Sequence, residues 1–462
     1  MERQAIVERL KAIVGEAYVS DAAEELFIYS RDQGVQDPHE PDWVVMPGGT
    51  AEVASVVELA RAEKIPVVPM GGGLVLSGLS VPLRGGIVLD MKRMNRILEV
   101  NDQSHYAVVE AGTSQGMLDA YLRKHHPGLK HSLPDAPPAA TIAGNIAIHG
   151  SGHLSQSEGG FHSEMVTGLE AVLGTGEVVK LGSCSTVPAW FSRAPLPDLV
   201  GLFLGWNGTT GIITKVGIKL FPRPRFHDVL VYMTEDIDLA PVVINRVIGT
   251  SMAEDINYAM APKPDYLRGF QMTVINYTAN TEQELTFKRN ALRSVMKDLY
   301  ETRRSGFMPV PPNMKSGFLE APQKALSKFA DVRKGGGFEY VGAITPVEKI
   351  PDACRAGMDI TARHGITYSL GARIIGRGHA AMFFFAYPFN RVDRDEVERV
   401  KHALDDTNGT ALALGGIPWK TEVQGQRLIM DRMDPATKEL MKRVRGVLDP
   451  AGIMNPGNWE VA

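Results

Sequence analysis

Cysteine is almost missing from this chain: 462 residues contain two, Cys184 and Cys354, far apart and in no CxxC spacing. Neither a disulfide framework nor a zinc site can be built from them, so a reducing, cytoplasmic setting is the expectation. Charge of one sign is lacking as well. The 49 Lys and Arg nearly balance the 53 Asp and Glu, and a net charge of −4 offers no basic face for nucleic acid. There is no long hydrophobic run. The longest apolar stretch, Ala380–Phe389, is about half a membrane span and is broken by Pro388. Met1-Glu2-Arg3-Gln4 opens a charged amphipathic helix, so no secretory leader is expected. Internal repeats and low-complexity tracts are missing. No G-x-G-x-x-G fingerprint follows a strand, which argues against a Rossmann site and against NAD as the tight cofactor.

What is present is a globular composition, 44% hydrophobic and 22% charged, on a chain long enough for two or three domains. The organising stretch is Pro66-Val67-Val68-Pro69-Met70-Gly71-Gly72-Gly73-Leu74-Val75-Leu76-Ser77-Gly78. A β-branched run ends in three glycines, whose missing Cβ lets the backbone approach a ligand closely. Successive N–H groups in such a turn form a concave anion site suited to a pyrophosphate; a plain glycine-rich hairpin is the alternative.

Read in order, Val7, Leu10 and Val14 mark a first helix, and 43–47 a short strand. Thr50 is the expected N-cap of a helix with Val53, Val56, Val57 and Ala60 on its apolar face. Strands are expected at 65–69, 86–91 and 106–112, a hairpin at 169–173 and 177–181, and a half-buried strand at 212–220. Residues 131–162 are irregular and rich in small side chains, which suits a flat ligand lying against bare backbone. From 226 to 410 the units lengthen: strands near 229–232, 271–274 and 380–387, and helices over 282–302 and 392–406. The tail carries a helix capped by Asp434 with Pro435 at its first position.

These pieces, in this order, resemble the vanillyl-alcohol oxidase and p-cresol methylhydroxylase superfamily. The match rests on the strand into Gly71-Gly72-Gly73, on Leu89-Asp90-Met91, the Leu133-Pro134-Asp135 turn and Gly144-Asn145. It continues through Gly168-Leu169-Glu170-Ala171-Val172-Leu173, Gly211-Ile212-Ile213-Thr214-Lys215, and Leu448-Asp449-Pro450-Ala451-Gly452-Ile453 with Asn455-Pro456-Gly457. The resemblance implies an α+β chain with a two-part FAD-binding domain, at 1–225 and 411–462, interrupted by an α+β cap at 226–410 that binds substrate. FAD is the implied cofactor. The loop of Pro69, Gly71, Gly72, Gly73, Leu74, Val75, Leu76 and Ser77 would hold its pyrophosphate. Pro134, Asp135, Thr141, Gly144, Asn145, Gly150, Gly152, His153, Gly211, Ile213, Lys420 and Asn455 would complete the cofactor site.

A flavin needs a proton acceptor near its reacting edge and positive charge near its reduced ring. Asp135 aligns with the family's turn aspartate and is the expected base; capping a proline-flanked turn is the competing role. Pro418-Trp419-Lys420-Thr421 resembles a Pro-Tyr-Arg-Thr segment that binds phenolate in phenol-oxidising members. Trp419 has no phenolic hydroxyl and Lys420 is a point charge, which weakens the phenol reading. His162, Arg373, Arg377, His379, Phe383 and Phe385 are the expected substrate contacts, with no metal. The glycine loop has no histidine for covalent flavin attachment; His379 and Tyr387 of the cap are the remaining attachment points, and non-covalent FAD is the expectation. The expected activity is hydride transfer from a small alcohol or benzylic substrate to flavin N5. The alternatives are a D-2-hydroxy-acid dehydrogenase, or a subunit passing electrons to an iron–sulfur or cytochrome partner; a non-catalytic flavin binder is a further one. A homo-oligomer is also expected.

Overall fold

The valine-rich runs at 43–45, 67–70 and 87–90 become the parallel strands of a small sheet. In the computed structural model, which describes residues 3–76, 78–260, 269–302, 305–312, 315 and 335–460, β1 (Val19–Ser20) pairs antiparallel with β2 (Trp43–Val45). β2 and β3 (Val67–Met70) both run parallel to β4 (Ile87–Asp90), giving the order β1-β2-β4-β3. Strands covered on both faces read as unbroken hydrophobic runs, as these do. The crossover from β2 to β3 is the helix Thr50–Glu63, with Val53, Val56, Val57 and Ala60 fully buried. Its N-cap is Gly49, not Thr50. Thr50 is already helical, and its hydroxyl donates to Glu170 Oε1 at 2.6 Å, tying this helix to the next sheet.

That second sheet is antiparallel, built from β5 (Ile97–Asn101), β6 (Tyr106–Glu110), β8 (Val166–Val172), β9 (Val178–Gly182) and β10 (Ile212–Lys219) in the order β5-β6-β10-β8-β9. A short ribbon of β7 (Leu129–Lys130) and β11 (Phe221–Pro222) lies beside it. One hydrophobic core joins both sheets, containing Leu10, Val57, Leu89, Val109, Leu169 and Val216. The chain's tail enters the same core through Ile453 and Met454. Val67 N–H donates to Ile453 O at 2.8 Å and Asn455 N–H to Val67 O at 2.9 Å, so the tail lines up beside the strand that feeds the glycine loop.

Between these two passages the chain builds an eight-stranded sheet of β12 (Phe226–Thr234), β13 (Asp255–Met260), β14 (Gln271–Ala279), β15 (Ser305–Met308), β16 (Gly337–Thr345), β17 (Ser369–Ile375), β18 (Ala380–Phe389) and β19 (Ile417–Trp419). The order is β15-β12-β14-β13-β17-β18-β16-β19, every pair antiparallel. Helices Ala240–Gly249, Ile350–His364 and Arg394–Ala413 cover one face, burying Val243, Val247, Ile350, Cys354, Ile360 and Leu404 against it. The segment from 411 gives this sheet its edge strand β19, then meets the first core again where Gly174 N–H donates to Leu448 O at 2.9 Å and the 453–455 stretch joins β3.

Two further local expectations change. The helix over 282–302 is two helices, Glu282–Ser294 and Lys297–Thr302. The stretch 131–162 contains a short helix, Ile142–Ala147, whose N-cap Thr141 accepts from Gly144 N–H through its hydroxyl. Six residues including a glycine are too few to show a helical period. Both cysteines are buried free thiols. No helix among the described residues is long and apolar enough to cross a membrane.

Candidate active site

The uncovered face of the large sheet and the glycine loop enclose a cavity of about 580 Å³. On one side it is lined by Pro69, Gly71, Gly72, Gly73, Leu74, Val75 and Leu76; Ser77 lies outside the described residues. The bare backbone is required here. A Cβ on Gly71 would run into Thr141 Oγ1, one on Gly72 would stand 2.7 Å from Ala139 O, and Gly73 sits at φ +66°. Pro134, Asp135, Thr141, Gly144, Asn145, His153, Gly211 and Ile213 line the cavity as well.

Four of the expected contacts sit behind this wall. His162 is buried with Nδ1 against Asn145 Oδ1 and Nε2 2.7 Å from Ser132 Oγ, and burial pulls its pKa down to about 3. It is a neutral strut holding Asn145, not a substrate contact. Gly150 donates its N–H to Asn145 O, and Gly152 bridges to Pro134, so both shape the loop without lining the cavity. Asn455 donates to Leu79 O and Asn207 O, steadying two lining residues from beneath.

The sheet supplies the other wall, largely through the side chains of alternate residues. Asp255, Asn257 and Ala259 of β13, Gly371 and Arg373 of β17, and Met382, Phe384 and Ala386 of β18 face the cavity, with Tyr340 of β16 and Trp419 of β19. Phe383 and Phe385 therefore point the other way, into the core under the helices, 5% and 1% exposed; the cavity phenylalanine is Phe384. Its ring lies over Gly371, where a Cβ would meet the ring edge. Phe384 stacks on Tyr340 at 4.9 Å between centroids, and Tyr340 meets Trp419 edge-on at 5.9 Å. Trp419 Nε1 donates to His149 O at 3.1 Å. Beyond the end of β17, Arg377 and His379 are exposed in the turn; Arg377 donates to Ser157 O, and neither lines the cavity. Tyr387 is buried on the helix side with its hydroxyl against Thr407.

Charge concentrates around Arg373, 3% exposed. Its Nη2 lies 2.6 Å from Asp135 Oδ2 and 3.5 Å from Asp255 Oδ2, while Nε and Nη1 have no partner. Burial opposes the guanidinium charge, but the two carboxylates outweigh it and hold the group charged. Burial raises the pKa of Asp135 against the opposite pull of Arg373. His153, 3.9 Å from Asp255, is driven to about 4 by burial and by Arg373, so its imidazole is neutral. Lys420, its ammonium 3.9 Å from the Trp419 ring centroid, is lowered by burial to about 8. Among the described residues no three His, Cys, Asp or Glu side chains are grouped to hold a metal ion.

Sequence reasoning missed Asp255, Asn257, Tyr340, Met382 and Phe384. The polar–apolar alternation of Asp255-Ile256-Asn257-Tyr258 is the signal that marks β13 as a strand with a polar face.

Residues 41–182 match the family model described as an FAD binding domain, and residues 265–459 match the one described as FAD linked oxidases, C-terminal domain. The glycine loop, cavity and ring-lined wall fit an extended flavin dinucleotide, which defines the class: a flavin-dependent oxidoreductase. The chain carries both the FAD binding domain and the C-terminal domain of the FAD linked oxidases. It is 26% identical to the glycolate oxidase subunit GlcD of Bacillus subtilis, over 98% of this chain and 96% of that one. It is 24% identical to a D-lactate dehydrogenase of Anaerostipes hadrus, again over 98% and 96%. The solved structure of p-cresol methylhydroxylase superimposes with a TM-score of 0.83 at 19% identity, covering 99% of this chain and 96% of that one.

Proposed function

We propose that this oxidoreductase acts on the hydroxyl-bearing carbon of a small 2-hydroxy carboxylate with an apolar body. The observation that carries the reading is Arg373. It is a nearly buried guanidinium on the cavity face, at the border between the polar strands and the rings of Tyr340, Phe384 and Trp419. A carboxylate meets the cation and the apolar body meets the rings. FAD, when bound, supplies the two-electron acceptor for the hydride. Asp135, with its pKa raised by burial, takes the hydroxyl proton, and Lys420 adds positive charge to the same end of the cavity. The names of the two relatives above, glycolate and D-lactate enzymes, support a 2-hydroxy acid. A para-alkylphenol is the second reading, favoured by the ring-lined wall and the likeness in fold to p-cresol methylhydroxylase.

Anaerobic mixing of the FAD-loaded protein with mandelate, lactate, glycolate and p-cresol decides between them by loss of flavin absorbance. A 2-hydroxy acid is expected to bleach the flavin, mandelate best. Asp135→Asn is expected to slow that bleaching about 100-fold. Bleaching by p-cresol alone would replace this reading with the second.

A further inference from the structure

The two acids that hold Arg373 are not equivalent. Both face the same nitrogen, Nη2, but Asp135 stands at 2.6 Å with its side chain 32% exposed, and Asp255 at 3.5 Å with its side chain 1% exposed. Asp255 heads β13, in register with Asn276 on one side. Two residues on, Asn257 is in register with Arg373 itself and donates Nδ2 to Asp255 Oδ2 at 2.7 Å. Asp255 and Arg373 are thus carried by neighbouring strands of one ladder. Asp135 belongs to the turn after Pro134, outside any strand or helix.

An anion entering beside Arg373 would bring a third negative charge to one guanidinium. The acid that can leave is the one on the turn, open to the cavity. We propose that Asp255 is the permanent counter-ion and positioning residue of Arg373, and that a substrate carboxylate displaces Asp135 from Nη2, freeing it to accept the substrate's hydroxyl proton. The proposal rests on the 2-hydroxy-carboxylate reading. It balances: the hydroxyl proton goes to the Asp135 carboxylate, the hydride of the same carbon goes to the flavin, and a carbonyl remains.

The groups facing Asp135 are Arg373, Asp255, His153, Lys420 and Tyr340; those facing Asp255 are Arg373, Asn257, Glu254 and His153. Once Asp135 is off Arg373, burial and the negative Asp255 still raise its pKa while the main lowering influence is gone. Binding of a carboxylate therefore makes Asp135 a stronger base, so binding is linked to proton uptake wherever Asp135 titrates.

The test uses oxalate, a carboxylate that offers no hydride, titrated into the FAD-loaded protein. Binding is followed by flavin absorbance and by calorimetry in two buffers of different protonation enthalpy, between about pH 5 and about pH 8. The wild type is expected to take up a fraction of a proton on binding at the acid end of that range and less toward its alkaline end, where Asp135 stays a carboxylate able to act as the base. Asp135→Asn is expected to bind oxalate about tenfold tighter, with no uptake, because the competing acid is gone. Asp255→Asn is expected to move the uptake to lower pH because Asp255 no longer raises Asp135, and Asp255→Glu is expected to return it. If Asp255→Asn fails to fold, Asp135→Asn decides alone. Weaker binding or surviving uptake in Asp135→Asn overturns the displacement. Wild-type binding with no linked proton overturns it while leaving the carboxylate reading standing, whereas no binding at all removes both.

Discussion

The two faces of the eight-stranded sheet are made by the same strands and treat polar atoms in opposite ways. On the helix-covered face the tyrosines are completed: Tyr232 donates to Ser305 Oγ at 2.6 Å, Tyr277 to Asp228 Oδ2 at 2.9 Å, and Tyr387 meets Thr407 at 3.2 Å. On the cavity face Asp255 Oδ1, Asn276 Oδ1, Arg373 Nε and Arg373 Nη1 have no partner. An unmet buried polar group costs about 1–3 kcal/mol, so a fold keeps several together only where something other than stability is served. The alternation of a strand permits both on adjacent residues. One set of side chains holds the sheet together and the other is left for chemistry.

The sharpest break in that comparison is removal of the cation. Arg373→Met leaves Asp135 and Asp255 without their shared partner, and breaking a buried pair by one member costs about 3–5 kcal/mol. Urea unfolding is expected to show that loss, and flavin reduction by the best substrate is expected to fall about 1,000-fold or more. Wild-type stability in the variant would mean that the two acids are neutral in the folded protein. The next break sets neighbours on opposite faces against each other. Phe385→Ala, in the helix-side core, is expected to cost about 3–5 kcal/mol of stability and leave KM unchanged. Phe384→Ala, on the cavity side, is expected to cost less than half of that and raise KM about tenfold. A KM effect from Phe385→Ala equal to that of Phe384→Ala would dissolve the division between the faces.

The glycine loop was readable from sequence because its requirement is local: three bare residues after a β-branched run need no knowledge of what packs nearby. The choice among Phe383, Phe384 and Phe385 was not readable. Three identical residues carry no alternation, and a shift by one residue exchanges the faces. The run of Arg373 and Arg377 failed differently. β17 ends at Ile375, and the turn that follows carries Arg377 out to solvent. His162 in a loop of small residues looks the same whether it waits for substrate or props up Asn145; only its two partners tell. Asp255 was hidden because its meaning comes from Arg373, which sequence places far away and the β13–β17 ladder places beside it.

The smallest expected effect concerns Lys420, where activity and stability should move in opposite directions over one pH window. The residue follows β19 at φ +54°, a left-handed backbone that turns it away from the strand's alternation. Burial lowers its pKa from 10.5 to about 8, with Asp135 pulling the other way. Below about pH 8 the ammonium is present in the cavity, and above it the charge is lost. Flavin reduction is therefore expected to decline about tenfold above that point, a limb that Lys420→Met should abolish. For folding the sign reverses. The folded pKa lies below the unfolded one, so the cost of holding the cation is felt in full below about pH 8. Stability then rises as pH climbs from about 8 toward 10.5, where only the unfolded chain still carries the proton. Urea titrations across that range should show the rise in the wild type and not in Lys420→Met. An alkaline limb that survives in Lys420→Met would assign the falling rate to another group and leave the cavity's second cation without a role in the reaction.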